Sequence, residues 1–231
     1  MKFEFHNHAD IHYIKSKDTA YLITDQCEIF IDASSGIVDL TISRRSNTNI
    51  GSIAIGKSVF IESVEWLVLG HGSDTTAIMT KQPIEFVKMD DIYATSNVRA
   101  HLTHGVIRMP FIMNAIPNNM IVPHTVKLHD DMGEHARRNV KDPISILTAD
   151  LFRRYRYVLP NNNLPYWLAT PYDLCVPKLE LMYVQNNFIK HCPIDANNKF
   201  GICPFLIIDS KFTAFNTHNI SGPWENNAFY F

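Results

Sequence analysis

From residue 20 to residue 89 the apolar positions fall into short runs: "AYLI" (20–23), "CEIFID" (27–32), "GIVDLTIS" (36–43), "SIAI" (52–55), "SVFI" (58–61), "SVEWLVL" (63–69), "TTAIMT" (75–80) and "IEFVKM" (84–89). They are rich in β-branched and aromatic residues, which suit a pleated, half-buried surface. Turn-forming residues separate them: Asp25-Gln26, Ser34-Ser35-Gly36, Gly56-Lys57, Gly70-His71-Gly72 and Pro83. Val64, Trp66 and Val68 alternate with Glu65, Leu67 and Leu69, so one face of that strand is wholly apolar and the other mostly so. Short strands at intervals of about 8–12 residues predict an antiparallel barrel or sandwich.

The pattern changes after residue 90. "DDIYATSNVRAHLTHGVI" (90–107) reads as a short helix and a strand. "HDDMGEHARRNV" (129–140) has Asp130 or Asp131 as an N-cap and Arg137-Arg138 late, in keeping with the helix dipole. In "DPISILTADLFRRYRYVLP" (142–160), Asp142 is placed as the cap and Pro143 at the first helical position. Ile144, Leu147, Leu151, Tyr155 and Val158 follow at helical spacing. Strand-like runs return at 179–185 and 204–209. The expected fold class is α+β. A jelly-roll-like barrel or sandwich fills residues 1–110, and a mixed helix-and-strand region (111–231) packs against it, or the two form a single compact unit.

Candidate chemistry starts with "FHNHADIHY" (5–13). Side chains at i and i+2 on a strand share a face, so His6, His8 and His12 lie together if the strand is continuous. Two readings follow. Neutral imidazoles so placed suit a divalent metal such as Zn, Fe or Mn; or Phe3, Phe5, Ile11 and Tyr13 face inward and the histidines face water on an edge strand. In "GHGSD" (70–74), His71 sits in a turn where Gly70 and Gly72 supply positive φ. The histidines of "HLTH" (101–104) face each other only on a helix.

Three segments carry a resemblance. "KSKDTAYLITDQCEIFI" (15–31), "IGSIAIGKSVFIES" (50–63) and "DTTAIMTKQPIEFVKM" (74–89) resemble, in order and spacing, the cyclic-nucleotide-binding barrel. The likeness places Phe60, Ile61 and Glu62 on that family's Phe-Gly-Glu cassette, which makes Phe60 and Glu62 its ligand-binding residues. Ile61 stands where glycine is needed for close backbone approach, and Asp74 lies where a phosphate-pairing arginine belongs. The likeness therefore implies the barrel and not the nucleotide. The same strand order is similar to cupin barrels. There His6 and His8 match the HxH pair, His12 stands near the place of the glutamate, and His71 is the later ligand.

Composition narrows the classes. The chain has 231 residues, 46% hydrophobic and 19% charged, with net charge -2, so no global field favours nucleic acid or an anionic membrane. "MKFEFHNHAD" lacks a signal-type apolar run, and no apolar stretch has membrane-spanning length, which predicts a cytoplasmic protein without membrane contact. Cys27, Cys175, Cys192 and Cys203 are widely spaced and read as free thiols. The Asn-Asn pairs, including Asn186-Asn187, mark turns. Arg137, Arg138, Lys141, Arg153, Arg154 and Arg156 concentrate positive charge, with Asp130, Asp131, Glu134, Asp142 and Asp150 interspersed. Such mixed runs form solvated, ion-paired faces more readily than nucleic-acid sites. The leading expectation is a non-catalytic binding or regulatory protein that recognises a partner protein or a small ligand. The alternatives are a metal-dependent, cupin-like enzyme using the histidine cluster, and a nucleic-acid-associated factor using residues 137–156.

Overall fold

The computed structural model describes residues 12–15, 19–23, 27–32, 39–61, 64–104, 116–132, 139–161, 163–174 and 179–219. Within these ranges, side chains are described from residue 48 to residue 214, His104 excepted. The chain divides into two compact units, one of residues 1–48 with 215–231 and one of residues 49–214. The expected boundary near residue 110 lies outside the described residues.

The first unit contains an antiparallel meander of β1 (His12–Lys15), β2 (Thr19–Ile23), β3 (Cys27–Asp32) and β4 (Asp39–Asn49). Tyr21 lies opposite Phe30, and Phe30 opposite Thr41, so aromatic and β-branched positions meet across the ladders. β3 coincides with the "CEIFID" run.

The second unit opens with a 3-10 turn at Ile50–Ser52, where the sequence predicts a strand over 52–55. The Ile50 amide donates to the Phe212 carbonyl and the Gly51 amide to Ser210 O, which ties the turn down before a strand can start. An antiparallel sheet follows in the order β5 (Ser58–Ile61), β6 (Val64–His71), β7 (Thr75–Thr80), β16 (Phe205–Asp209), β11 (Ile144–Ser145). A second sheet runs β14 (Phe188–Pro193), β13 (Glu180–Gln185), β12 (Tyr166–Asp173), β15 (Phe200–Ile202), β8 (Glu85–Val87). β12 and β15 pair in parallel; the other pairs are antiparallel. β9 (His124–Val126) and β10 (Val140–Asp142) form a small ladder, and β17 (Thr213–Asn219) ends the described chain. The two α-helices among the described residues are α1 (Asn97–His104) and α2 (Ala149–Tyr155). The fold is thus sheet-rich and mainly antiparallel on both sides of residue 110.

Strand parity explains the two apolar faces of "SVEWLVL". Trp66 and Val68 enter one buried cluster with Ile78, Leu206 and Trp167. Leu67 and Leu69 enter another with Met79, Phe205 and Leu168. β6 is buried on both faces, so it carries the near-continuous apolar run of a central strand. Phe152 anchors α2 into the second cluster; burying a phenylalanine side chain contributes about 1.5–3 kcal/mol.

The helix expected from Asp142 onward is corrected. Val140–Asp142 and Ile144–Ser145 are strands, and α2 begins only at Ala149. The Thr148 side chain caps it, accepting from the Leu151 amide at 3.2 Å. Ile144 pairs with Leu206, and Ile144, Ile146 and Leu147 are all buried. Cross-strand pairing and burial on more than one side override a helical apolar spacing. Of the helix expected from Asp130 or Asp131, residues 131–132 form a turn and residues 133–138 lie outside the described residues.

Among the asparagine pairs, Asn186 and Asn187 have φ of 53° and 62° and form the two-residue turn between β13 and β14. This is the left-handed backbone that a type I′ hairpin requires.

Candidate functional site

Two polar features stand out in the second unit, one sealed and one open. The sealed one centres on Asp142, at the end of β10 and 1% exposed. Arg99 on α1 donates to it from Nη2 at 2.8 Å and from Nε at 2.9 and 3.2 Å, and from Nη1 to the Ala94 carbonyl at 2.9 Å. The Tyr93 hydroxyl donates to Asp142 Oδ2 at 3.2 Å. Burial first, then the Asp142 charge, pushes the Tyr93 phenol well above its ordinary range. Hydrogen bonding to Asp142 raises Arg99, which is charged at any physiological pH.

His124 lies across the β9–β10 ladder from Asp142, with Nε2 2.8 Å from Ser145 Oγ. Its Nδ1 is buried and makes no hydrogen bond of good geometry with a described residue. Desolvation lowers its pKa, outweighing the pull of Asp142 and of the Val122 backbone. Ser145, His124 and Asp142 resemble the members of a hydrolytic triad, but the arrangement differs. Asp142 is taken by Arg99 rather than by the imidazole, and Ser145 is 1% exposed. In this conformation it is a structural network linking α1, β10 and β11.

The open feature is a cleft of about 580 Å³ beside α2. β6, β7 and β16 contribute Leu69, Ala77 and Ile207; Tyr155 and Val158 come from α2 and the turn after it. Gly70 makes the helix's approach feasible: a Cβ there would lie 3.3 Å from the Tyr155 ring and 3.6 Å from its hydroxyl. A register shift in the β6–β7 ladder falls between Val68 and Gly70, beside this contact. The expected positive φ at Gly70 and Gly72 is not adopted; among the described glycines Gly56 has positive φ. Gly72 serves instead to admit Thr75 Oγ1, 2.7 Å from where a Cβ would stand. Arg154 and Tyr157 also line the cleft, and Tyr157 is 97% exposed.

His71 lines the same cleft, but both its ring nitrogens are committed. Nε2 lies 2.8 Å from the Ile53 carbonyl, which only accepts, so Nε2 carries the proton. Nδ1 then accepts from Thr76 Oγ1 at 3.1 Å, and that hydroxyl accepts in turn from Ser210 Oγ at 2.9 Å. The imidazole clamps β6 to the 50s turn and to the β16–β17 connection, and ligating a metal would break one of those bonds. Among the described residues no three His, Cys, Asp or Glu side chains gather as a metal site. His6 and His8 lie outside the described residues, as does Glu62; His12 begins β1, and its side chain is not described.

Phe60 is half-buried on β5, opposite Glu65. Ile61, at the cassette's glycine position, is buried in the core. The described arginines do not share one free basic surface. Arg153 donates to Asp131 at 2.7 and 2.8 Å and to Asp150 at 3.4 Å. Arg156 lies 5.3 Å from the centroid of the Phe188 ring, a cation–π contact. Arg154 turns to the cleft, and Arg137 and Arg138 lie outside the described residues. Cys192 and Cys203 are free and buried, and desolvation raises both thiols, which disfavours the thiolate.

Sequence reasoning marked His71, Arg154 and Tyr155 but not that they meet. The signal for it was the glycine on each side of His71, a strand end relieved of side chains. Comparison of the chain with protein-family models, with curated proteins and with solved structures finds no match.

Proposed function

We propose that the chain is a non-catalytic binding protein, and that a small ligand enters the cleft between α2 and the β6–β7–β16 face of a barrel-like sheet. One observation carries this reading: an open cleft of about 580 Å³ whose lining is mainly apolar and aromatic, with a few polar groups at defined places. Ligand sites share that size and chemistry. Among the described residues the lining holds no carboxylate, cysteine or serine, and its histidine is already hydrogen-bonded on both nitrogens. It has the means to hold a molecule and lacks a general base paired to a nucleophile.

N-phenyl-1-naphthylamine, an uncharged dye that brightens in apolar surroundings, tests this. Wild-type protein should show saturable binding to one site per chain. Ala77→Trp fills the cleft and should abolish the signal while leaving the circular dichroism spectrum unchanged. Absence of saturable binding, or equal binding by the Ala77→Trp variant, would remove the reading.

A further inference from the structure

The cleft is apolar but not electrically neutral. Among the described residues its one cationic side chain is Arg154, and no aspartate or glutamate lines it. Its neighbours on α2 and in the following turn have partners: Arg153 is ion-paired to Asp131 and Asp150, and Arg156 is stacked over Phe188. Arg154 makes no ion pair with a described residue, although three arginines and one acid occupy residues 150–156. A guanidinium presents several N–H donors in a fixed fork suited to a carboxylate, sulfonate or phosphate. Beside it stand the Tyr155 and Tyr157 rings, which offer large contact area at small entropic cost.

The polar chemistry that is missing narrows the class further. Among the described residues no asparagine, glutamine or acidic side chain lines the cleft to pair with the edge of a nucleobase or with sugar hydroxyls. Beyond the hydroxyls of Thr75, Tyr155 and Tyr157, a polar body would find few side-chain partners there, at a cost of about 1–3 kcal/mol for each group left unpaired. An apolar body loses nothing on entering.

Resting on the ligand-binding reading above, we infer that the cleft selects an organic anion with an apolar, preferably aromatic body. Arg154 takes the anionic group at the mouth, and the body lies between Tyr155 and the Leu69–Ala77–Ile207 surface. Arg154 is thereby the residue that sets specificity for the anionic group, and the apolar contacts set affinity for the body.

Two dyes with the same anilinonaphthalene body separate the terms: 8-anilinonaphthalene-1-sulfonate carries a sulfonate, and N-phenyl-1-naphthylamine does not. Titrations use the full chain in low salt. Wild type should bind the sulfonate more tightly than the neutral dye. Arg154→Gln should weaken the sulfonate about fivefold, the scale of a partly exposed charge pair, and leave the neutral dye within about twofold. Arg154→Lys should recover part of the loss, and added salt should shrink the wild-type preference. Adenosine monophosphate, an anion with a polar body, should fail to displace the sulfonate.

Equal sulfonate binding by wild type and Arg154→Gln overturns the inference while the neutral dye still supports a ligand cleft. Displacement by adenosine monophosphate overturns the apolar-body assignment. Failure of the neutral dye to bind wild type removes the ligand reading, and this inference with it.

Discussion

Replacing Arg99 tests the buried network most sharply. Asp142 is 1% exposed, and its oxygens receive three N–H contacts from Arg99, at 2.8, 2.9 and 3.2 Å, and one from Tyr93 at 3.2 Å. Arg99→Met keeps most of the aliphatic stem and removes the charge and both nitrogens that donate to Asp142. Tyr93 alone then faces a sealed carboxylate. Breaking a buried pair this way costs about 3–5 kcal/mol. The carboxylate's escape is to take up a proton, which for an ordinary carboxylate at pH 7 costs about 4 kcal/mol. The two routes agree on about 3–4 kcal/mol. For a unit of this size that lowers Tm by roughly 6–16 °C, at about 2–4 °C per kcal/mol.

Asp142→Asn is the control. It removes the buried charge, and Arg99, whose side chain is 30% exposed, keeps its bond to Ala94 and gains water. Its cost should be about 1–2 kcal/mol. Urea unfolding followed by tryptophan fluorescence reads both variants, with an unchanged m-value confirming the same transition. An Arg99→Met loss below about 1 kcal/mol, or one smaller than that of Asp142→Asn, would refute the reasoning.

Other perturbations have equally definite outcomes. His124 is held below the ordinary imidazole range by burial, so the unfolded chain takes its proton first and stability falls as pH drops below about 6.5. His124→Gln should flatten the decline in Tm between pH 7.5 and pH 5.5, and an unchanged slope would count against that assignment. Thr148→Ala removes the α2 cap and should cost about 1 kcal/mol, whereas Thr148→Ser should be near neutral; thermal melts distinguish them. Gly201→Ala would set a Cβ into Pro83 Cβ, between β12 and β8. It should destabilise by about 1–3 kcal/mol through overpacking, and a wild-type melting curve would contradict the contact.

The strands were legible where short-range chemistry decides them. β3, β5 and β7 fall on their apolar runs to the residue, and the Asn186-Asn187 hairpin follows from what asparagine backbone tolerates. Legibility failed where the environment is tertiary. Asp142 looks like a helix cap because Pro143 follows it, yet what holds it is Arg99, 43 residues earlier. Ile144 and Leu147 keep a helical interval while one pairs with Leu206 and the other enters a different cluster. The cleft was hidden for the same reason: Gly70 and Tyr155 lie far apart in the chain, and only folding shows that the glycine leaves room for the ring. His71 was marked as a ligand through the cupin likeness, which calls for a histidine on a later strand. Its bonds to Ile53 and Thr76 belong to the folded geometry alone.

A ¹H–¹⁵N correlation titration of the labelled chain with N-phenyl-1-naphthylamine tests whether the second unit binds a small apolar-bodied ligand beside α2. Saturable shifts should centre on the amides of Gly70, Gly72, Ala77, Tyr155 and Val158 and be absent in Ala77→Trp. Shifts centred elsewhere, or none at saturating dye, would contradict binding there.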